Sequence, residues 1–241
     1  MWEPYDPASY FAHLGFGFLA VAGAITALSA RKGSTLHKKG GWIFAVPMVI
    51  AALTALVFEV EFDQPRPLAV IMAVATLYLI ATSILSLRNG WRYAPIIEKL
   101  LIVVPIALFA VSAMFVYRGI QSGSLAQVPG PTLYAGVFLS LFIGDFRLML
   151  SRPTERLRWV KRHLFRMLLA FAFAIRALFS LGIETGLPFE VVVTAPVVLA
   201  LGTTWYFFRD GGRLADRASF SGRRSGFLPK AYFYGGARRR S

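Results

Sequence analysis

The sequence predicts an all-α fold: a polytopic integral membrane bundle of seven transmembrane helices, with the N-terminus outside and the C-terminus in the cytoplasm. Three observations predict it. Of the 241 residues, 56% are hydrophobic and only 16% charged, with a mean hydropathy of +0.59, far from the balance of a soluble chain. The apolar residues gather into segments near the roughly 20 residues that a helix needs to cross a bilayer core about 30 Å thick. Lysine and arginine, finally, collect in alternate connections between those segments.

The spans are placed at residues 10–30, 42–58, 68–87, 99–117, 132–151, 163–183 and 189–208. In the first, His13, Gly17, Ala20, Ala24 and Ala27 share one helical face, which admits a close neighbour and points His13 into the bundle. The second has the shortest apolar run and ends in Glu59 and Glu61. Turn chemistry separates the others: Gln64-Pro-Arg-Pro67 before the third, Asn89-Gly90 before the fourth, Val128-Pro-Gly-Pro131 before the fifth and Gly186-Leu-Pro188 before the seventh. Pro47, Pro105 and Pro196 fall inside spans and predict kinks. The organisation is thus a transmembrane domain over residues 1–208 and a basic, aromatic cytoplasmic tail over residues 209–241, with no internal repeat of the kind that builds many transporters.

Orientation follows from the charges. One set of connections carries Arg31, Lys32, Lys38, Lys39, Arg88, Arg92, Lys99, Arg152, Arg156, Arg158, Lys161, Arg162 and the tail; the alternate set carries only Arg66 and Arg118 beside Glu3, Asp6, Glu59, Glu61, Asp63, Glu184 and Glu190. Basic connections resist translocation, so the first set is cytoplasmic, and the alternation closes only with an odd number of spans. Residues 1–7 lack the basic start of a cleavable signal peptide, so the first span is expected to stay in the mature protein. The net charge of +14 thereby reports orientation, and no nucleic-acid partner is predicted. With no cysteine, the chain has no disulfide, thiolate metal site or cysteine nucleophile.

Two stretches carry a resemblance. His13-Leu-Gly15, followed by Arg31-Lys-Gly33, His37 and Gly40-Gly41-Trp42, resembles the opening of the bacterial predicted-membrane-protein group catalogued as domain of unknown function 2306. Gly144-Asp145-Phe146-Arg147, a basic loop, and Arg162-His163-Leu-Phe-Arg166-Met167 are similar to that group's Gly-Asp-x-Arg and Arg-His-x-x-Arg-Met pattern at the expected separation. Arg176 departs from the pattern, which has a small or hydroxyl residue there. The resemblance implies a bacterial inner-membrane protein and, the group having no established activity, no reaction.

Candidate chemistry is sparse. His37 and His163 both sit at cytoplasmic helix mouths; they either cap helix ends and bind loop carbonyls or, if their helices pack together, hold one b-type haem between two imidazoles. No other cofactor is predicted, and no metal site. Charges inside spans cost about 2.5–3.5 kcal/mol each on insertion scales and need partners. Asp145 and Arg166 match in depth and are the foremost expected contact, with Arg147 as competitor. Arg176 lies nearer the outer face, where Glu59 or Glu184 is its expected partner. These pairs read as structural, or alternatively as the centre of an ion or small-molecule transporter. Dinucleotide and Walker loops, His-Glu-x-x-His and paired carboxylates are absent in a suitable context, so no catalytic residue is assigned.

The tail interleaves Arg213, Arg217, Arg223, Arg224, Lys230, Arg238, Arg239 and Arg240 with Phe227, Tyr232, Phe233 and Tyr234. Such a segment either lies loosely on anionic lipid, at about 1 kcal/mol per charge, or docks on a protein whose acids meet the arginines while the aromatic rings anchor it. Together these features lead to an accessory, non-enzymatic subunit of a larger inner-membrane complex, respiratory or photosynthetic.

Overall fold

The structure, a computed structural model, describes residues 7–61, 67–88, 91–124, 128–151, 156–180, 191 and 194–205. Regular structure among them is entirely helical: α1 (Pro7–Ser29), α2 (Thr35–Glu61), α3 (Pro67–Leu87), α4 (Ala94–Leu101), α5 (Val103–Gln121), α6 (Pro129–Ser151), α7 (Arg156–Ser180) and α8 (Thr194–Trp205). Five stretches are long and apolar enough to cross a membrane: Phe11–Ser29, Thr35–Val57, Pro67–Leu87, Ala94–Gln121 and Pro129–Ser151. This is the architecture of a multi-pass membrane protein. The chain divides into a compact unit ending at Thr204 and a second unit, from Trp205 on, that lies outside the described residues apart from Trp205 itself.

Several helices outrun the apolar runs that announce them, for reasons written in their ends. α2 starts at Thr35 rather than 42 because the Ser34 hydroxyl caps it, accepting the His37 backbone N–H at 3.2 Å. Exposed Lys38 and Lys39 carry their charge in that extra turn. α6 takes in Pro129 and Pro131, which form its first turn instead of a separating turn; the opening N–H groups of a helix have no internal acceptor, so proline loses little there. Between α4 and α5 the helical run breaks at Ile102, because Pro105 has no N–H to return to the Leu101 carbonyl. By contrast α2 runs unbroken through Pro47.

α1 and α2 form the most extensive helix pair. A Cβ on Gly23 would lie 2.5 Å from the Phe44 nitrogen and one on Gly40 2.8 Å from the Ala27 nitrogen, so hydrogen at both positions lets the two backbones touch. Ala20 and Ala24 are buried beside this crossing, whereas Gly17 meets nothing and contributes no approach. His13 bridges the pair at its far end, its Nδ1 lying 2.9 Å from the Thr54 hydroxyl.

α3 is the central element. Ile71, Met72, Ala75, Tyr78, Leu79 and Ile80 are buried, and α3 packs against α2, α7, α5 and α4. Phe44 meets Phe171 edge-on at 6.4 Å, and Tyr134 meets Phe173 at 6.0 Å, which ties α2 and α6 to α7. α8 adds Val197 and Leu201 to this core and sets Ala200 against Leu168 and Ala172 of α7. Outward faces are apolar as well: Phe11, Leu100, Leu150 and Leu199 are all about two-thirds exposed or more.

Candidate functional site

The buried charges meet between α3, α4, α6 and α7. Asp145, on α6, is only 8% exposed, and its Oδ1 accepts hydrogen bonds from Arg166 Nη2 and, at 3.1 Å, from Arg162 Nη2. Its Oδ2 accepts one from the Tyr78 hydroxyl of α3. Arg162 reaches onward with Nη1 to Glu98 Oε1 on α4. The Arg166 guanidinium also lies over the Tyr78 ring, 5.2 Å from its centre, and Arg162 lies 5.8 Å from the centre of the Trp159 ring.

Local sequence explains the assembly. Arg162 and Arg166 are one helical turn apart on α7, so both side chains project to the same side. Asp145 faces inward on α6, between exposed Gly144 and exposed Phe146. α3 supplies Tyr78 from the turn below its hydroxyl-rich end, where Thr82 and Ser86 return their protons to the carbonyls of Tyr78 and Thr82. α6 and α7 meet here through long side chains, so the arginines fill the interval that apolar residues would otherwise occupy.

Asp145 and Arg166 are thus joined, but Arg166 is one of two arginines on the carboxylate. Arg147 is exposed and takes no part. Arg176 is buried higher on α7, beside Tyr134 of α6, close enough for guanidinium and phenol to interact. The Glu59 side chain and Glu184, the acids expected to pair with Arg176, lie outside the described residues. So do the tail residues Arg213, Arg217, Arg223, Arg224, Phe227, Lys230, Tyr232, Phe233, Tyr234, Arg238, Arg239 and Arg240.

The two histidines come within electrostatic reach of each other. His37 Nδ1 donates to the Ala27 carbonyl at 2.9 Å, joining α2 to the end of α1. His163 Nδ1 lies 2.7 Å from the Ser83 hydroxyl, which in turn donates to the His163 carbonyl at 3.2 Å, joining α7 to α3. Among the described residues no group of three or more His, Cys, Asp or Glu side chains is placed to hold a metal ion.

Sequence reasoning missed three members of the cluster: Tyr78, Glu98 and Arg162. Arg162 reads as part of the basic loop because it precedes the apolar run, although its spacing from Arg166 is a signal that both share a face. Glu98 is the single acid of α4, immediately before the fourth apolar run, and a lone acid there needs a cation. Tyr78 carries no signal, since a tyrosine inside an apolar helix reads as core.

No family model, curated protein or solved structure matches the chain.

Proposed function

We propose that the protein is an accessory subunit of a larger membrane assembly: a seven-span bacterial inner-membrane protein with its N-terminus outside and its tail in the cytoplasm. The observation that carries this reading is the pairing of the buried charges. Asp145, Arg162, Arg166 and Glu98 neutralise one another and tie three helices together, with Tyr78 adding α3 as a fourth, which is the work of a structural lock. α7 then qualifies as a span despite its arginines, because two are paired and Arg176 is buried rather than turned to lipid. Exposed Trp42, Trp91 and Tyr93 beside the basic connections suit the headgroup level of the cytoplasmic face. Membership of the domain of unknown function 2306 group is part of the proposal, supported by the convergence of Asp145, Arg162 and Arg166 from its two motif stretches.

The polybasic, aromatic tail supplies the contact with partner subunits or anionic lipid. Gentle solubilisation and native electrophoresis test this: the full chain is expected in a complex larger than itself, and a chain ending at Gly212 is expected to leave it. Migration of both as the same monomer would remove the reading.

A second reading, a single-haem electron carrier, draws on the histidine pair. Each Nδ1 is held by an oxygen, the arrangement that orients an imidazole whose Nε2 ligates a metal. An absorption spectrum of the assembled protein decides, since this reading requires a Soret band that disappears in His163→Ala.

A further inference from the structure

The charges of the cluster balance, but its hydrogen bonds do not. Two guanidinium groups and a phenol converge on two carboxylates, and Arg162 Nε, Arg166 Nε and Arg166 Nη1 are buried N–H donors with no acceptor. A buried donor left without a partner costs about 1–3 kcal/mol, and more when it is charged. Asp145 takes up little of the surplus, because its Oδ1 already receives both arginines and its Oδ2 the tyrosine, which leaves one lone pair for three donors. What fits beside these donors is a group made only of acceptors, and the planar fork of arginine matches an oxyanion.

Glu98 shows how such a group would be accommodated without upsetting the charge balance. It is the outermost member of the cluster, 22% exposed against 11% for Arg162 and 3% for Arg166. It also stands on α4, a two-turn helix separated from α5 by the break before Pro105. We propose that Arg162 and Arg166 form a binding site for a small oxyanion, a carboxylate or phosphate group, and that Glu98 occupies part of it as a built-in competitor. The incoming anion takes the Arg162 Nη1 position from Glu98 and engages the unused donors of Arg166. Glu98 moves outward into the cytoplasmic headgroup layer with α4, so the buried charge stays balanced. This goes beyond an assembly role, giving the lock an occupant that can report on the anions at the membrane surface.

The test is thermal unfolding of the full chain in phosphatidylcholine nanodiscs, titrated with potassium phosphate or potassium acetate against potassium chloride at equal ionic strength. Wild type is expected to be stabilised by phosphate or acetate. Glu98→Gln, lacking the competitor, should bind about tenfold more tightly, the worth of one charge-assisted hydrogen bond. Arg162→Lys, which keeps the charge without the fork, should bind more weakly than wild type. Nanodiscs containing phosphatidic acid separate the sources: if a lipid headgroup is the ligand, they stabilise the protein and added phosphate then contributes nothing more. The proposal is overturned by chloride-like behaviour of all three probes, or by an unchanged response in Glu98→Gln.

Discussion

Asp145 is the residue on which the most other residues depend. Asparagine in its place keeps the shape but leaves Arg166 buried without a counter-charge, a change that typically costs about 3–5 kcal/mol. Asp145→Asn is therefore expected to lose most of its folded yield in detergent, measured by fluorescence-detected size exclusion. The companion double variant, Asp145→Asn with Arg166→Gln, should lose much less than the sum of its two singles, because neither half then leaves a charge behind. Additive losses would show that the two side chains do not share one interaction. The legibility of this site in the sequence follows the same physics. A carboxylate in an apolar run is conspicuous because hydrocarbon cannot solvate it, so Asp145 and Arg166 announce themselves. Tyr78 does not, since its ring belongs in the core and only its hydroxyl, invisible to periodicity, belongs to the site. Arg162 was obscured by its neighbours, Arg158 and Lys161, which look like the loop they adjoin.

For the helices, sequence patterning located the apolar runs well and their ends poorly. Hydropathy records how much of a helix lies in lipid, whereas hydrogen bonding decides how far it continues, which is why Ser34 begins α2 well before Trp42. The small-residue stripe on α1 indicated a close neighbour, yet the touching positions are Gly23 and Ala27 rather than Gly17; composition alone cannot say at what height two helices cross. A substitution series distinguishes them. Gly23→Ala drives a methyl group into the α2 backbone, within 2.6 Å of the Ile43 carbonyl carbon, and should cost about 1–3 kcal/mol as overpacking. Gly17→Ala has open space and a better helix propensity, so its unfolding midpoint should equal or exceed that of wild type. Equal effects at both positions would mean that the α1–α2 crossing lies elsewhere.

Across the molecule, the proposed seven-span topology sets residues 31–39 on the cytoplasmic side and residues 118–128 on the outer side. The chain has no cysteine, so a single introduced thiol reports its own side without background. Thr35 and Gln121 are both exposed, and that topology sets them on opposite faces of the membrane. In intact cells, Gln121→Cys is expected to react with a membrane-impermeant maleimide, and Thr35→Cys to react only after permeabilisation. The reverse pattern would invert the protein, and equal labelling would undo the alternation of basic connections on which its orientation rests. At this scale the membrane-capable helices are legible as apolar runs in a single sequence; which helices neighbour each other is not, since α3 owes its central place to packing alone.

The unequal ways in which the helices are joined also dictate an order of synthesis. α1 and α2 are complete as soon as both have left the ribosome: their glycines touch, His13 finds Thr54 and His37 finds the end of α1. α6 enjoys no such independence. Its carboxylate emerges before either guanidinium that will neutralise it, so the nascent chain must hold an uncompensated acid at the translocon until α7 is made. Assembly of the bundle therefore sets a hairpin joined along its own length ahead of a later electrostatic closure between α6 and α7.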